Sequence, residues 1–315
     1  MKNLRLELEE VENADCRRCG RQARKAIIEE GVCEEAASVV DGLPVRCVGE
    51  WAYDKIYRLV SYFGIFTRGM KDRWIGLNYM EICSGPGRCI RKNDGVEMDG
   101  TALAVIKHPI FRLLTKAVFV DNNRKVLETL NNRIMAANAK DKAVALEGNY
   151  HEPERIRQIA ASLPKRCLNL CFIDPTECDV PFETIVAIHD VLVKVDFIVN
   201  VALGTDVTRN IGDAVLNPAF GVARKKYETF LGSPGFCARE DVKKAAELDR
   251  HSELRRLFVR EYVTQFGKRG FLSCDPIPVR NYYYLLFFST DKKGIEFWNK
   301  ACKIGPDNQR ELGLN

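Results

Sequence analysis

The chain has 315 residues, of which 46% are hydrophobic, with 48 Lys or Arg against 43 Asp or Glu and a formal net charge of +5. That length admits one large α/β domain with an appendage, or two small domains, and the apolar share supplies a sizeable core. The mild basic excess neither requires nor excludes nucleic acid, which only a local basic face decides. No apolar run approaches the roughly 20 residues of a spanning helix. The opening Met1-Lys2-Asn3-Leu4-Arg5-Leu6-Glu7 is too charged for a secretory leader. The expectation is a cytoplasmic protein with no membrane partner.

Twelve cysteines in a reducing compartment read mostly as small buried hydrophobes, not as a disulfide framework. The segment 1–50 is different. It is charged and poor in apolar periodicity, and Cys16-Arg17-Arg18-Cys19 has the spacing of a zinc knuckle. With Cys33 and Cys47 it offers four thiolates, enough to close a structural tetrahedral zinc site and order a thin segment. Cys33 and Cys47 are not a close pair in sequence, so reduced thiols are the other reading.

The main domain is read over 51–303, followed by a tail, 304–315. Ile56, Leu59, Val60 and Phe63 form a stripe at helical spacing after Trp51. Leu77–Ile82 is then an apolar strand running into a glycine loop. A helix is expected over Thr101–Leu114, a strand over Ala117–Val120 closing on Asp121, and a helix carrying Val126, Leu127, Leu130 and Ile134. A strand over Ala143–Leu146, a helix over Glu154–Leu163 and a strand over Leu168–Ile173 follow, the last entering Asp174-Pro175. Phe182–Val193 reads as a helix and Val195–Val201 as a buried strand. Continuous apolar strands alternating with helices predict a parallel sheet covered on both faces.

The ending changes character. A helix near Glu253–Phe266 precedes Phe271–Val279 and Tyr282–Ser289, which Arg280 and Asn281 join as a hairpin. Parallel strands closed by an antiparallel hairpin are the pattern of the Rossmann-like class I methyltransferase fold. Between them, 204–250 is a long mixed insertion, of the kind that serves as a lid or binding element. The run Arg224-Lys225-Lys226 within it reads as a solvated face or, less simply, a phosphate contact.

Chemistry concentrates at the strand ends. Glu81-Ile82-Cys83-Ser84-Gly85-Pro86-Gly87 joins an acid to a glycine loop, and glycines let a backbone turn sharply and approach a ligand. Asp121, ending the second strand, can accept two hydrogen bonds from ribose hydroxyls. Asn149 ends the third strand, where adenine lies in such folds, and Asp174 ends the fourth, beside the reactive group. The alternative is a tight strand–helix turn with Asp174 as a capping acid. A dinucleotide site fits poorly: Ile90 stands where a third glycine is needed, and Arg91-Lys92-Asn93-Asp94-Gly95 interrupts the helix.

Several ordered segments resemble one family. They are Asp41-Gly42-Leu43-Pro44-Val45-Arg46, Trp51 with Lys55, the glycine loop, Asp99-Gly100-Thr101-Ala102, Phe172-Ile173-Asp174-Pro175-Thr176, Pro181-Phe182-Glu183-Thr184-Ile185, and Asn281–Leu285 ahead of Phe297-Trp298. Together they resemble the three-Cys-motif partner proteins (TcmP). The resemblance implies a methyltransferase-like fold and pairing with a radical-S-adenosylmethionine-like protein that itself carries the three cysteines. The glycine loop also resembles that of DNA methyltransferases, with Cys83 in place of their phenylalanine.

The combined expectation is an S-adenosylmethionine-dependent methyltransferase acting on nucleic acid or nucleotide with that partner. Glu81, Cys83, Gly85, Gly87, Asp121, Asn149 and Asp174 would bind the cofactor, and Asp174 would orient the acceptor. Asn149 replaces a more usual Asp, and Asp174-Pro175-Thr176-Glu177 lacks the aromatic that stacks on a flipped base, a contact worth about 1–3 kcal/mol. A nuclease or other nucleotide-modifying enzyme on the same fold, and a non-catalytic scaffold, stay open beside it.

Overall fold

The computed structural model describes residues 10–14, 16, 31–33, 36–280 and 282–303; Cys19 and the tail 304–315 lie outside the described residues. The chain divides into two compact units. One comprises Met1–Gly148, Leu163–Leu170 and Phe297–Asn315; the other comprises Asn149–Ser162 and Cys171–Glu296.

In the first unit, helix α1 (Trp51–Met70) buries the predicted stripe Ile56, Leu59, Val60 and Phe63. Its Tyr62 meets Trp298 edge-on at 5.5 Å. Strand β3 (Leu77–Ile82) is buried along its whole length, which is why it shows no polar alternation. It pairs in parallel with β6 (Lys116–Asp121), and β6 pairs in parallel with β7 (Ala143–Glu147). Ile82 lies opposite Val120 and Asp121 opposite Glu147, so the polar strand ends fall at one edge. The helix expected over 101–114 is shorter. Helix α2 is Thr101–Lys107, because Pro109 excludes the helical conformation at His108, which is extended (φ −60°, ψ 131°). A short 3-10 turn, Phe111–Leu113, replaces the missing part. Helix α3 (Arg124–Ala136) opens on Asn123, whose side chain accepts from Val126 N at 3.2 Å.

A hairpin stands between the glycine loop and α2, where a helix interruption was expected. Its strands are β4 (Arg88–Arg91) and β5 (Val96–Asp99). Strand β1 (Val11–Glu12) pairs antiparallel with β5, and β2 (Arg46–Val48) pairs parallel with β4, giving a four-stranded sheet ordered β1-β5-β4-β2. Parts of the 1–50 segment are therefore edge strands of a sheet whose centre comes from later sequence. Arg88, 1% exposed, ion-pairs with Glu97 and Asp99 inside it.

The second unit contains α4 (Pro153–Ala161), α5 (Phe182–Val191) and β9 (Val195–Val201). Strand β12 (Tyr283–Ser289) lies antiparallel to β9, and β10 (Leu272–Ser273) and β11 (Ile277–Val279) both lie antiparallel to β12. The strand expected over 271–279 is broken in two, with Pro276 in the break. The insertion is helical: a π turn at Leu203–Val207, then α6 (Thr208–Leu216), α7 (Gly221–Leu231) and α8 (Glu240–Glu247). It packs on α9 (His251–Lys268) through stacked Phe230 and Tyr262, 4.6 Å apart, while Phe266 of α9 stacks on Phe288 at 3.6 Å.

Strand β8 (Leu168–Ile173) contributes to both units. The strand order is β10-β12-β9-β8-β3-β6-β7, with β11 on β12. A mostly parallel sheet with one reversed strand next to its fifth parallel-type strand is the class I methyltransferase fold that the alternation predicted. Among the described residues, no helix is long and apolar enough to cross a membrane.

Candidate nucleotide site at the glycine loop

The loop after β3 is bent by three residues with positive φ: Cys83 (65°), Gly85 (64°) and Gly87 (96°). A side chain in that region, as on Cys83, costs about 1–3 kcal/mol and persists only where neighbours enforce it. Here Ser84 N donates to Val120 O and Gly85 N donates to Asp121 Oδ2, each at 3.1 Å. Asp121 Oδ1 accepts from Asn123 N at 3.1 Å. Two backbone donors thus fix the Asp121 carboxylate, leaving lone pairs for a diol.

The two loop glycines serve different ends. A β-carbon on Gly87 would stand 3.0 Å from Leu130 Cδ1 and 3.3 Å from Arg133 Cδ, at a φ of 96° that an L side chain rarely adopts, so backbone and packing both favour glycine there. A β-carbon on Gly85 would meet nothing nearer than Arg46, with Cδ and Nη1 at 3.9 Å. The backbone at Gly85 is therefore open on one side, flanked by the Asp121 carboxylate and the Arg46 guanidinium. Ser84 Oγ is buried with no hydrogen-bond partner among the described residues. An open glycine backbone, a fixed acceptor, a cation and an orphaned hydroxyl fit the polar ends of an adenosyl amino acid.

Glu81 lies beneath the loop, fully buried, accepting from Tyr79 OH at 2.7 Å and from Thr101 Oγ1 at 2.5 Å. It ties β3 to the first residue of α2. Gly100 N donates to Gly87 O at 2.7 Å, so the helix starts beside the loop although the hairpin intervenes in sequence.

Arg133 braces the same loop and was not singled out by the sequence. Its guanidinium, from a residue 3% exposed, makes a fork on Asp41 (2.8 and 2.9 Å) and donates to Pro44 O at 2.8 Å and Pro86 O at 2.7 Å. Burial pushes the Asp41 carboxyl up, but Arg133 and the Leu43 amide outweigh it and hold the carboxyl below its ordinary value. The available signal was a charged residue on the apolar stripe of α3, at helical spacing from Val126 and Leu130. Arg46 was legible only as part of the Asp41–Arg46 segment.

The structure therefore gathers Glu81, Cys83, Gly85, Gly87 and Asp121 at one strand-end cluster of the first unit. Asn149 and Asp174 belong to the second unit. Asn149 Oδ1 accepts from His151 N at 3.0 Å and its amide donates to Glu152 at 3.1 Å, so the side chain shapes the turn after Gly148. Asp174 Oδ1 accepts from Asn200 Nδ2 at 2.8 Å. Asn200 is 1% exposed on β9, and this bond sets the direction of the Asp174 carboxylate.

The basic run of the insertion is largely engaged within the unit. Lys226 donates to both oxygens of buried Asp206 at 2.9 Å and to Glu177 at 3.0 Å, and Arg224 Nε donates to Ala214 O at 2.8 Å. Asp206 also accepts from Tyr227 OH at 2.7 Å and Cys178 N at 2.8 Å. Burial raises its pKa, but these donors, Lys226 first, hold it below the ordinary value. The phosphate-contact reading thus loses two of its three cations. Of the predicted zinc ligands, Cys16, Cys33 and Cys47 fall in one buried cluster. Among the described residues, however, no group of three or more His, Cys, Asp or Glu is arranged to hold a metal ion, so the expected zinc site is not found there, and Cys19 lies outside the described residues.

No family model matches the chain, and no curated protein matches it. Solved structures do. An O-methyltransferase from Bacillus cereus in complex with SAH is 12% identical, with TM-score 0.40, over 86% of this chain and 90% of that one. The O-methyltransferase TomG from Streptomyces achromogenes, involved in tomaymycin synthesis and solved with SAM, is 12% identical, with TM-score 0.38, over 75% of this chain and 87% of that one. The fold rests on the strand order, and the site on its own geometry.

Proposed function

We propose that the chain is an S-adenosylmethionine-dependent methyltransferase whose cofactor site is the loop Glu81–Gly87 with Asp121. The observation that carries this reading is Gly85: a backbone open to a ligand, with a fixed carboxylate on one side and a guanidinium on the other. Asp121 accepts the ribose hydroxyls. Arg46 faces the amino-acid carboxylate, Ser84 Oγ adds a donor, and Cys83 borders the path. Glu81 holds the loop to α2 from below. S-adenosylmethionine, when bound, supplies an electrophilic methyl group on a sulfonium, so positioning provides most of the rate.

Asp174, hydrogen-bonded by Asn200, would accept a hydrogen bond from the acceptor's N–H or O–H. The acceptor class we favour is nucleic acid or nucleotide, in concert with a radical-S-adenosylmethionine-like partner. What supports it is the ordered resemblance to the TcmP family and the Asp174-Pro175 strand end. Transfer of tritium from labelled methyl donor to DNA, RNA and cell extract, with and without the partner, tests the reading. Wild type should label one pool, and Asp174→Ala should lose labelling while still binding the donor. No label in any pool, with the partner present, would leave the scaffold reading in its place.

A further inference from the structure

Two guanidinium groups lie beside the glycine loop, and the protein uses them differently. Arg133 carries five N–H donors, and all five are engaged. Nε and Nη2 fork onto the two oxygens of Asp41 at 2.8 and 2.9 Å. Nη2 also donates to Leu43 O at 3.4 Å, and Nη1 donates to Pro44 O at 2.8 Å and to Pro86 O at 2.7 Å. One nitrogen thus joins Pro44 to Pro86, which stands between Gly85 and Gly87. Arg46, two residues beyond Pro44, makes no hydrogen bond or ion pair through its guanidinium among the described residues. Its Nη1 lies 3.9 Å from where a β-carbon on Gly85 would stand. Arg133 is the structural cation, and Arg46 is the one left for an anion.

The segment that leads into Arg46 is held at both ends. In the turn 38–43, Ser38 N donates to Leu43 O and Gly42 N to Ser38 O, each at 2.9 Å, with Gly42 at φ 70°. Asp41 Oδ1 also accepts from Leu43 N at 3.0 Å. Buried Glu97 of β5 accepts from Ser38 Oγ at 2.5 Å and from Val39 N at 2.9 Å. The turn is therefore fastened to α3 by Arg133 and to β5 by Glu97. The chain then enters β2, where Arg46 lies opposite Cys89 of β4. A planar fork on a carboxylate fixes direction as well as charge, which a lysine ammonium does not. An arginine carried on so fixed a backbone loses less freedom when a ligand arrives.

We infer that the turn 38–44, clamped by Arg133, is a specificity element that holds Arg46 at Gly85, so that the site selects adenosyl ligands carrying an α-carboxylate. The inference rests on the reading of the loop as the cofactor site. Asp41 and Arg133 are positioning residues, and Arg46 alone meets the ligand. A charge-assisted bond to the carboxylate is worth about tenfold or more in affinity. Displacing Arg46 forfeits that factor and leaves the ribose contacts of Asp121 as they are. A clamp that only kept the loop in shape would act differently. Loosening it would disturb the bond from Gly85 N to Asp121 and weaken every adenosyl ligand alike.

The test is calorimetric titration of the full chain with two probes. One is S-adenosylhomocysteine; the other is its decarboxylated form, which keeps the amine and lacks only the carboxylate. Wild type should bind the first about tenfold or more tighter. Arg46→Gln, Asp41→Ala and Arg133→Lys should bring the two affinities near parity by weakening the first alone. Asp121→Ala should weaken both and keep the wild-type preference. Should Asp41→Ala fail to fold, Asp41→Asn, which keeps an acceptor and loses the charged fork, reads the same ratio. A preference retained by the Asp41 and Arg133 variants, equal weakening of both probes in them, or no preference in wild type would overturn the inference and leave the cofactor reading standing. Binding of neither probe by wild type would overturn the cofactor reading and the inference with it.

Discussion

His108 shows how one residue sets a pH window. It packs edge-on against Phe63 with ring centres 5.4 Å apart, is 7% exposed, and its Nδ1 accepts from Ile110 N at 3.3 Å. Burial, and then the Arg68 charge, lower its pKa from 6.5 to about 4. The folded form therefore binds a proton less readily than the unfolded chain. The stability His108 contributes is complete above 6.5 and is lost as pH falls towards about 4. Urea denaturation of wild type between those limits should show a declining midpoint. His108→Asn, which keeps an acceptor for Ile110 N but cannot titrate there, should show a flatter profile. Parallel profiles would show that another group governs the acid limb.

At the scale of elements, the hairpin β4–β5 is the feature that departs most from expectation. It is an insertion between glycine loop and helix, and its interior is a buried ion cluster. Arg88 bonds Glu97 Oε1 at 2.5 Å and Asp99 Oδ1 at 2.7 Å, while Glu97 also accepts from Ser38 Oγ and Val39 N. Removing Arg88 takes the guanidinium from buried Glu97 and leaves Asp99 its pair with Lys107 at 3.0 Å. Arg88→Met should destabilise by about 3–5 kcal/mol, read as a lowered denaturation midpoint. The loss should shrink when Glu97→Gln and Asp99→Asn are added. A single variant as stable as wild type would show that the cluster is not sealed from water. The sequence did carry a sign of this hairpin: Asn93-Asp94-Gly95 is turn chemistry, with Gly95 at φ 71°, between two four-residue runs. It was hidden because a nucleotide loop leads one to expect a helix next. Pro109, which shortens α2, was equally visible.

For the whole molecule, the parallel core was legible because strands such as β3, β8 and β9 are apolar throughout and the helices between them keep a helical period. The terminal hairpin was legible from its turn. The site was legible only where its residues are contiguous, at Glu81–Gly87, or end a strand, at Asp121. Arg46 and Arg133 reach the loop from elsewhere in the chain, and no spacing rule links Arg133 to Asp41 or to Pro86. The same holds for Asn200, which aims Asp174 from a neighbouring strand position that reads as core. The central claim is that Gly85 and Asp121 hold an adenosyl ligand. Calorimetric titration of the full chain with S-adenosylhomocysteine, wild type against Asp121→Ala, tests it most directly. A charged acceptor contributes about 1.5–3 kcal/mol per hydrogen bond, so the account predicts one site in wild type and an affinity at least about tenfold weaker in the variant. Equal affinities, or no heat of binding in wild type, would contradict it.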